Sequence, residues 1–157
     1  MSSVGVFTWC DVVPPDGTAA GIVRAGIDRV ELNEFQRTVD EAGDRFLQRT
    51  FTPGEIAFCA GRVNRLATRF AAKEAVAKIL GTGIRGLGWQ EVEVLTFPNG
   101  EPHVVLHDRA RDRGSHLGLM SIGVSLTHTA IAAEAFAVAL CTGANAEQSI
   151  REESNHG

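Results

Sequence analysis

Apolar residues change their spacing along the chain, and each spacing predicts a different element. Ile22 to Ile27 is a short apolar run that predicts a buried strand ending at Asp28, with Gly26 as a point where another backbone can approach closely. Val30 to Asp40 carries a broken helical periodicity through Leu32, Phe35 and Val39. Thr52-Pro53-Gly54-Glu55 is a helix start: a capping hydroxyl, proline at the first helical position and an acid three residues after the cap, with the helix running to about Ala60. Leu66 to Leu80 is the clearest helix, alanine-rich and stopped by Gly81. Its positions 67, 71, 74 and 78 share one stripe, which places Glu74 and Lys78 beside two alanines whose small side chains leave room for a ligand. The same Glu–Lys spacing also serves as an ordinary surface pair on any exposed helix.

Further along, Glu91 to Phe97 alternates as a strand, Pro98-Asn99-Gly100 reads as a turn, and His103 to Leu106 reads as the returning strand. Asp108 to Leu117 is expected to be helical, and Ile122 to Thr127 and Ile131 to Leu140 to be strands, although the alanines of the last segment also suit a helix. Helices and strands interleave without a regular βαβ rhythm, so the expected fold class is α+β, in one compact domain. Residues 1–21, which carry Pro14, Pro15 and Gly17, read as an N-terminal extension; residues 22–141 form the domain, and residues 142–157 form a polar tail.

Composition narrows the function classes. The 157 residues are 44% hydrophobic and 22% charged, and no apolar run approaches the roughly 20 residues that span a bilayer. MSSVGVFTWC lacks the basic and apolar stretches of a secretory signal, so the expectation is a cytoplasmic protein without a membrane partner. Cys10, Cys59 and Cys141 lie far apart and outside any CxxC pattern, which predicts free thiols. A net charge of -4 gives no long-range attraction for nucleic acid. Locally the balance reverses: Arg62, Arg65, Arg69, Lys73, Lys78 and Arg85 surround the single acid Glu74. Such a patch suits a phosphate-rich small molecule or an acidic protein.

Asp28 and Glu74 are the carboxylates of interest. Brought together they would repel one another unless a cation bridged them, and magnesium commonly takes one or two protein carboxylates, completing its shell with water and phosphate oxygens. Spacing alone does not single out this pair in a chain with 19 acids. His103 and His107 are a poor metal pair, since their strand spacing separates them by about 13 Å.

Five ordered stretches carry more. AGIDRVEL (25–32), RFLQRTFTPGE (45–55), TRFAAKEAVAKILGTGI (68–84), WQEVEVLTFPNGEPHV (89–104) and VSLTHT (124–129) together resemble the successive motifs of the holo-acyl-carrier-protein synthases, a 4'-phosphopantetheinyl transferase family. The resemblance implies a homotrimer that moves 4'-phosphopantetheine from coenzyme A to a serine of an apo-acyl carrier protein in fatty-acid synthesis, releasing 3',5'-ADP. It implies magnesium held by Asp28 and Glu74, with Glu31 nearby, and Lys78 beside the transferred phosphoryl group. Arg69, Lys73, Gly81, Gly83, Ser125 and His128 become candidate contacts for coenzyme A, His128 serving either the 3'-phosphate or its own loop. The acceptor of the serine proton is left open between a carboxylate and a water on the metal.

The chain departs from the family pattern at several points. Gly123 stands where many members have histidine, Arg24 where a glycine is common, Arg29 where an aliphatic residue is usual, and Glu34 where a basic residue often faces the carrier. These departures keep two alternatives in view, a transferase for a polyketide or other specialised carrier and a non-catalytic carrier-binding domain.

Overall fold

The structure, a computed structural model, describes residues 10–12 and 21–142. A four-stranded antiparallel sheet has the order β1 (Cys10–Val12), β2 (Gly21–Glu31), β6 (Ala132–Thr142), β5 (Leu119–His128). Three helices, α1 (Leu32–Thr50), α2 (Pro53–Cys59) and α3 (Val63–Leu80), follow β2, and a separate hairpin pairs β3 (Val92–Thr96) with β4 (Pro102–Leu106). Helix α4 (Asp108–His116) leads into β5. This is the α+β class that the mixed periodicities predict.

Helix α3 is the axis of the molecule. Twelve of its residues are buried, and it packs against β2, β6, α1 and the hairpin. Alternation in β6 explains how: Ala133, Ala135, Ala137, Ala139 and Cys141 are buried beneath α3, whereas Phe136, Val138 and Leu140 point to the opposite face. Small residues on the inner face let the helix lie close to the sheet, and the tightest approach is at Gly26. A Cβ added there would stand 2.2 Å from the Ala75 carbonyl oxygen. Close approach at this position, expected from the lone glycine, is therefore borne out, with α3 as the neighbour. Beside it the buried Arg24 donates through Nη1 to the Ile79 carbonyl at 2.8 Å and ties β2 to the last turn of α3.

Several boundaries differ from the sequence expectation. β2 does not stop at Asp28 but continues to Glu31, because every residue from Gly21 to Glu31 has a partner on β6. The broken periodicity of 30–40 is the first half of a 19-residue helix bent at Gly43, whose φ of 55° no helix accommodates. α3 starts at Val63 rather than Leu66, and the segment after Ile131 is a strand. The Thr52 start is fully formed: Thr52 accepts from the Glu55 amide at 3.2 Å and Glu55 accepts from the Thr52 amide at 2.8 Å. Gly81 ends α3 with φ 75°. Within the extension, Cys10–Val12 pairs with Val23–Gly21 and so belongs to the sheet. Gly21 opens β2, while residues 1–9 and 13–20, and the tail beyond Thr142, lie outside the described residues.

The space beside Ala67 and Ala71 is not left for a ligand. Both alanines are wholly buried, the first among Phe35, Phe51 and Leu66 and the second against the sheet alanines. Among the described residues no helix is long and apolar enough to cross a membrane.

Because the contact at Gly26 is with backbone, Gly26→Ala should lower the unfolding free energy by about 1–3 kcal/mol through overpacking. An unchanged urea midpoint would show that strand and helix can separate freely.

Candidate functional site

Strand β2 and helix α3 converge on one cleft of about 370 Å³, lined by Asp28, Glu74 and Lys78 together with Arg29, Glu31 and Glu34. Asp28 lies on the inner face of β2, two residues beyond Gly26, and the close strand–helix approach brings it to the last turns of α3. Lys78 Nζ stands 2.9 Å from Asp28 Oδ1 and also donates to the Ile27 carbonyl. Burial raises the Asp28 pKa above its ordinary value, and the Lys78 hydrogen bond and charge only partly oppose that rise. Glu74 lies one turn before Lys78, half-buried on the same cleft wall. Arg29 bridges Glu31 at 2.9 Å and Glu134 at 3.5 Å, which fixes the rim.

The basic patch of 62–85 is not one surface. Lys78 belongs to the carboxylate cleft, whereas Arg65 and Arg69 line a second cleft with Phe58, Thr96, Ser125 and His128. In that cleft Arg69 is only 4% exposed; its Nη2 donates to Thr96 Oγ1 at 2.7 Å, and its guanidinium lies 4.4 Å from the centre of the Phe58 ring. Burial lowers the Arg69 pKa from its usual value. The Asn64 side-chain amide lies 2.9 Å from His128 Nε2 and orients the ring at the cleft mouth. Ser125 sits beside Phe136 on β6, and Gly123 beside Val138, where a Cβ would meet nothing closer than 4.0 Å.

Lys73 occupies a different setting from the ligand contact that the resemblance implies. Its side chain is 0% exposed, pairs with the equally buried Glu55 at 2.8 Å and donates to the Trp89 and Val92 carbonyls at 3.0 and 2.5 Å. Glu55 in turn accepts from the Val94 amide at 2.9 Å. In this chain Lys73 therefore joins α2, α3 and β3 from within and presents no charge to either cleft. Burial lowers its pKa, against the pull of Glu55. Gly81 and Gly83 lie outside both clefts, with φ of 75° and 60°, and shape the turn that follows α3.

Sequence reasoning overlooked the apolar half of the first cleft. Its lining also includes Phe35, Phe46 and Phe70. Phe35 meets Phe46 and Phe70 edge-on at 5.9 and 5.3 Å, and Phe70 stacks on Trp89 at 4.5 Å. Aromatic spacing on two helices was the available signal, but nothing in the linear order pairs residues 46 and 70. His107 bonds Glu93 at 2.9 Å, and His103 lies against Phe97 with ring centres 4.9 Å apart and planes tilted by 35°. Among the described residues no cluster of three or more His, Cys, Asp or Glu side chains is arranged to hold a metal.

An α+β fold with a carboxylate–ammonium cleft and a separate arginine–histidine cleft is matched over residues 24–141 by the model of the 4'-phosphopantetheinyl transferase superfamily, and the chain belongs to that superfamily. A holo-[acyl-carrier-protein] synthase of Solibacter usitatus (strain Ellin6076) is 44% identical over 113 residues, covering 69% of this chain and 90% of that protein. One from Moorella thermoacetica is 42% identical over 130 residues, covering 81% and 99%. The crystal structure of the Helicobacter pylori holo-[acyl-carrier-protein] synthase in complex with coenzyme A has a TM-score of 0.67 at 28% identity, covering 73% of this chain and 98% of that one. Within the superfamily, the chain groups with the holo-[acyl-carrier-protein] synthases.

Removing the charge of Lys73 while Glu55 stays buried is the costly change. Lys73→Met should destabilise the protein by about 3–5 kcal/mol. Glu55→Gln added to it should recover part of that loss in urea unfolding, and full stability of the single variant would contradict the buried pairing.

Proposed function

We propose that the protein transfers the 4'-phosphopantetheine arm of coenzyme A to a serine of an apo-acyl carrier protein, releasing 3',5'-ADP, and that it serves fatty-acid synthesis in the cytoplasm. The observation that carries the reading is the convergence of Asp28, Glu74 and Lys78 on one cleft. The carrier's serine oxygen attacks the phosphorus next to pantetheine. The bond from that phosphorus to the bridging pyrophosphate oxygen breaks, and 3',5'-ADP leaves with the electron pair. Lys78, already held against Asp28, sets a positive charge where negative charge gathers during transfer. The carboxylates of the cleft are this chain's available acceptors for the serine proton.

The donor set suits magnesium. Asp28 and Glu74 are hard oxygen donors in one cleft, and two protein carboxylates are enough for an ion that fills its remaining positions with water and phosphate oxygens. When bound, magnesium supplies neutralisation of the pyrophosphate charge. Buried free thiols at Cys59 and Cys141 accord with a reducing compartment. Family membership and retention of all three charged residues favour an enzyme over a carrier-binding domain, despite Glu34 and Gly123. Which carrier is served, that of fatty-acid synthesis or a specialised one, is decided by the assay below.

The reading includes a homotrimer with sites at its subunit boundaries. Ile27, Phe136, Val138 and Leu140 form an exposed apolar strip, 53%, 46%, 39% and 37% accessible, across the outer face of β2 and β6. Exposed strips of this kind mark association surfaces. Arg69, Ser125 and His128 line a cleft separate from that of Asp28, Glu74 and Lys78. Association would let one chain's arginine–histidine cleft receive the ADP part of a coenzyme A whose pyrophosphate rests on its neighbour's carboxylates.

Incubation with coenzyme A, magnesium and a panel of apo-carriers should add one phosphopantetheine to the carrier serine, read by intact mass. No modification of any carrier by folded, magnesium-loaded protein would overturn the reading. Asp28→Ala and Glu74→Ala should each abolish magnesium-dependent transfer. Mixing inactive Asp28→Ala and Arg69→Ala chains should restore activity, since a boundary site can then draw an intact half from each. Two inactive parents whose mixture stays inactive, though it co-assembles by native mass spectrometry, would place the whole site within one chain.

A further inference from the structure

The carboxylate cleft has two chemically different halves. Its lining joins charged residues, Asp28, Glu74 and Lys78, to aromatic ones, Phe35, Phe46 and Phe70. Phe35 is buried and serves as the base, whereas Phe46 and Phe70 are half-buried and turn part of their surface to the cleft. The rings are held by one another: Phe35 supports both of the others, and Trp89 backs Phe70 in a stacked contact of 4.5 Å. Apolar ring surface in a cleft that also carries these charges is more than charge binding requires, because ions and pyrophosphate gain nothing from it. It suits a ligand that is anionic at one end and apolar a few bonds away.

We infer that Phe46 and Phe70 form a subsite for the first part of the transferred arm, the dimethyl-substituted carbon that lies one methylene from the phosphoryl oxygen. This rests on the transferase reading and extends it to the part of the substrate that the charged residues cannot recognise. With the phosphoryl group at Lys78, the two methyl groups lie four bonds from the phosphorus, in the cleft that Phe46 and Phe70 also line. Charged and aromatic side chains line one cleft, so phosphate and arm are seated together. Seating the arm also fixes the direction in which the phosphorus presents itself to the incoming hydroxyl, which is how remote binding energy serves a group transfer.

The test compares two ligands that differ by the arm. Coenzyme A carries it, and 3',5'-ADP does not. In titration calorimetry, Phe46→Leu and Phe70→Leu should each weaken coenzyme A about five- to ten-fold and leave 3',5'-ADP within two-fold of the unsubstituted protein. Equal losses for both ligands, or no loss for either, would overturn the subsite. The unsubstituted protein provides a second measurement that needs no variant. Its heat-capacity change on binding should be more negative for coenzyme A than for 3',5'-ADP, because only the former buries apolar surface on the rings. Indistinguishable heat-capacity changes would also overturn it. Failure of the transferase reading is seen separately: coenzyme A would then bind with the arm-dependent difference while no carrier gained mass.

Discussion

The approach of β2 to α3 at Gly26 governs the arrangement of the rest. Only a residue without a Cβ lets the strand pass against the Ala75 carbonyl, and the buried alanines of β6 extend the same flat floor beneath the helix. Two residues further along β2, that closeness puts Asp28 within hydrogen-bonding distance of Lys78, one turn from Glu74. Were the layers spaced by ordinary side chains, the carboxylate and ammonium would face each other across water. The cleft's electrostatics thus follow from a steric fact about one glycine.

Buried charge is used in two ways here. The Glu55–Lys73 pair is wholly enclosed, with backbone amides and carbonyls completing its hydrogen bonds, and it locks the hairpin to the helix that carries Glu74. Such a pair fixes an arrangement more than it stabilises one, since the desolvation of both ions offsets much of their attraction. Asp28 and Lys78, with side chains 12% and 14% accessible, pair where they line the cleft. Consecutive residues on one helix, Lys73 and Glu74, therefore serve different ends: one faces the core and the other the cleft.

Charged and aromatic side chains line the same cleft. The outward apolar strip on β6 and the arginine–histidine cleft beside β5 are reached from other directions, so a single chain presents its recognition elements on separate surfaces.

Local chemistry was readable in the linear order wherever neighbours in sequence decide it. The Thr52 capping box, the Gly81 helix stop and the β3–β4 hairpin are all of this kind. The length of β2 was not, because its continuation past Asp28 depends on pairing with β6 more than a hundred residues later. Nor was the fate of Lys73, which the sequence groups with its basic neighbours and the fold withdraws to meet Glu55. Residues 46 and 70 meet only when α1 folds back over α3. What the sequence determined by itself was the set of reactive groups and their short-range geometry; burial, pairing and the division into two clefts were decided by tertiary structure, since they arise from contacts between segments whose separation along the chain carries no record of their distance in space.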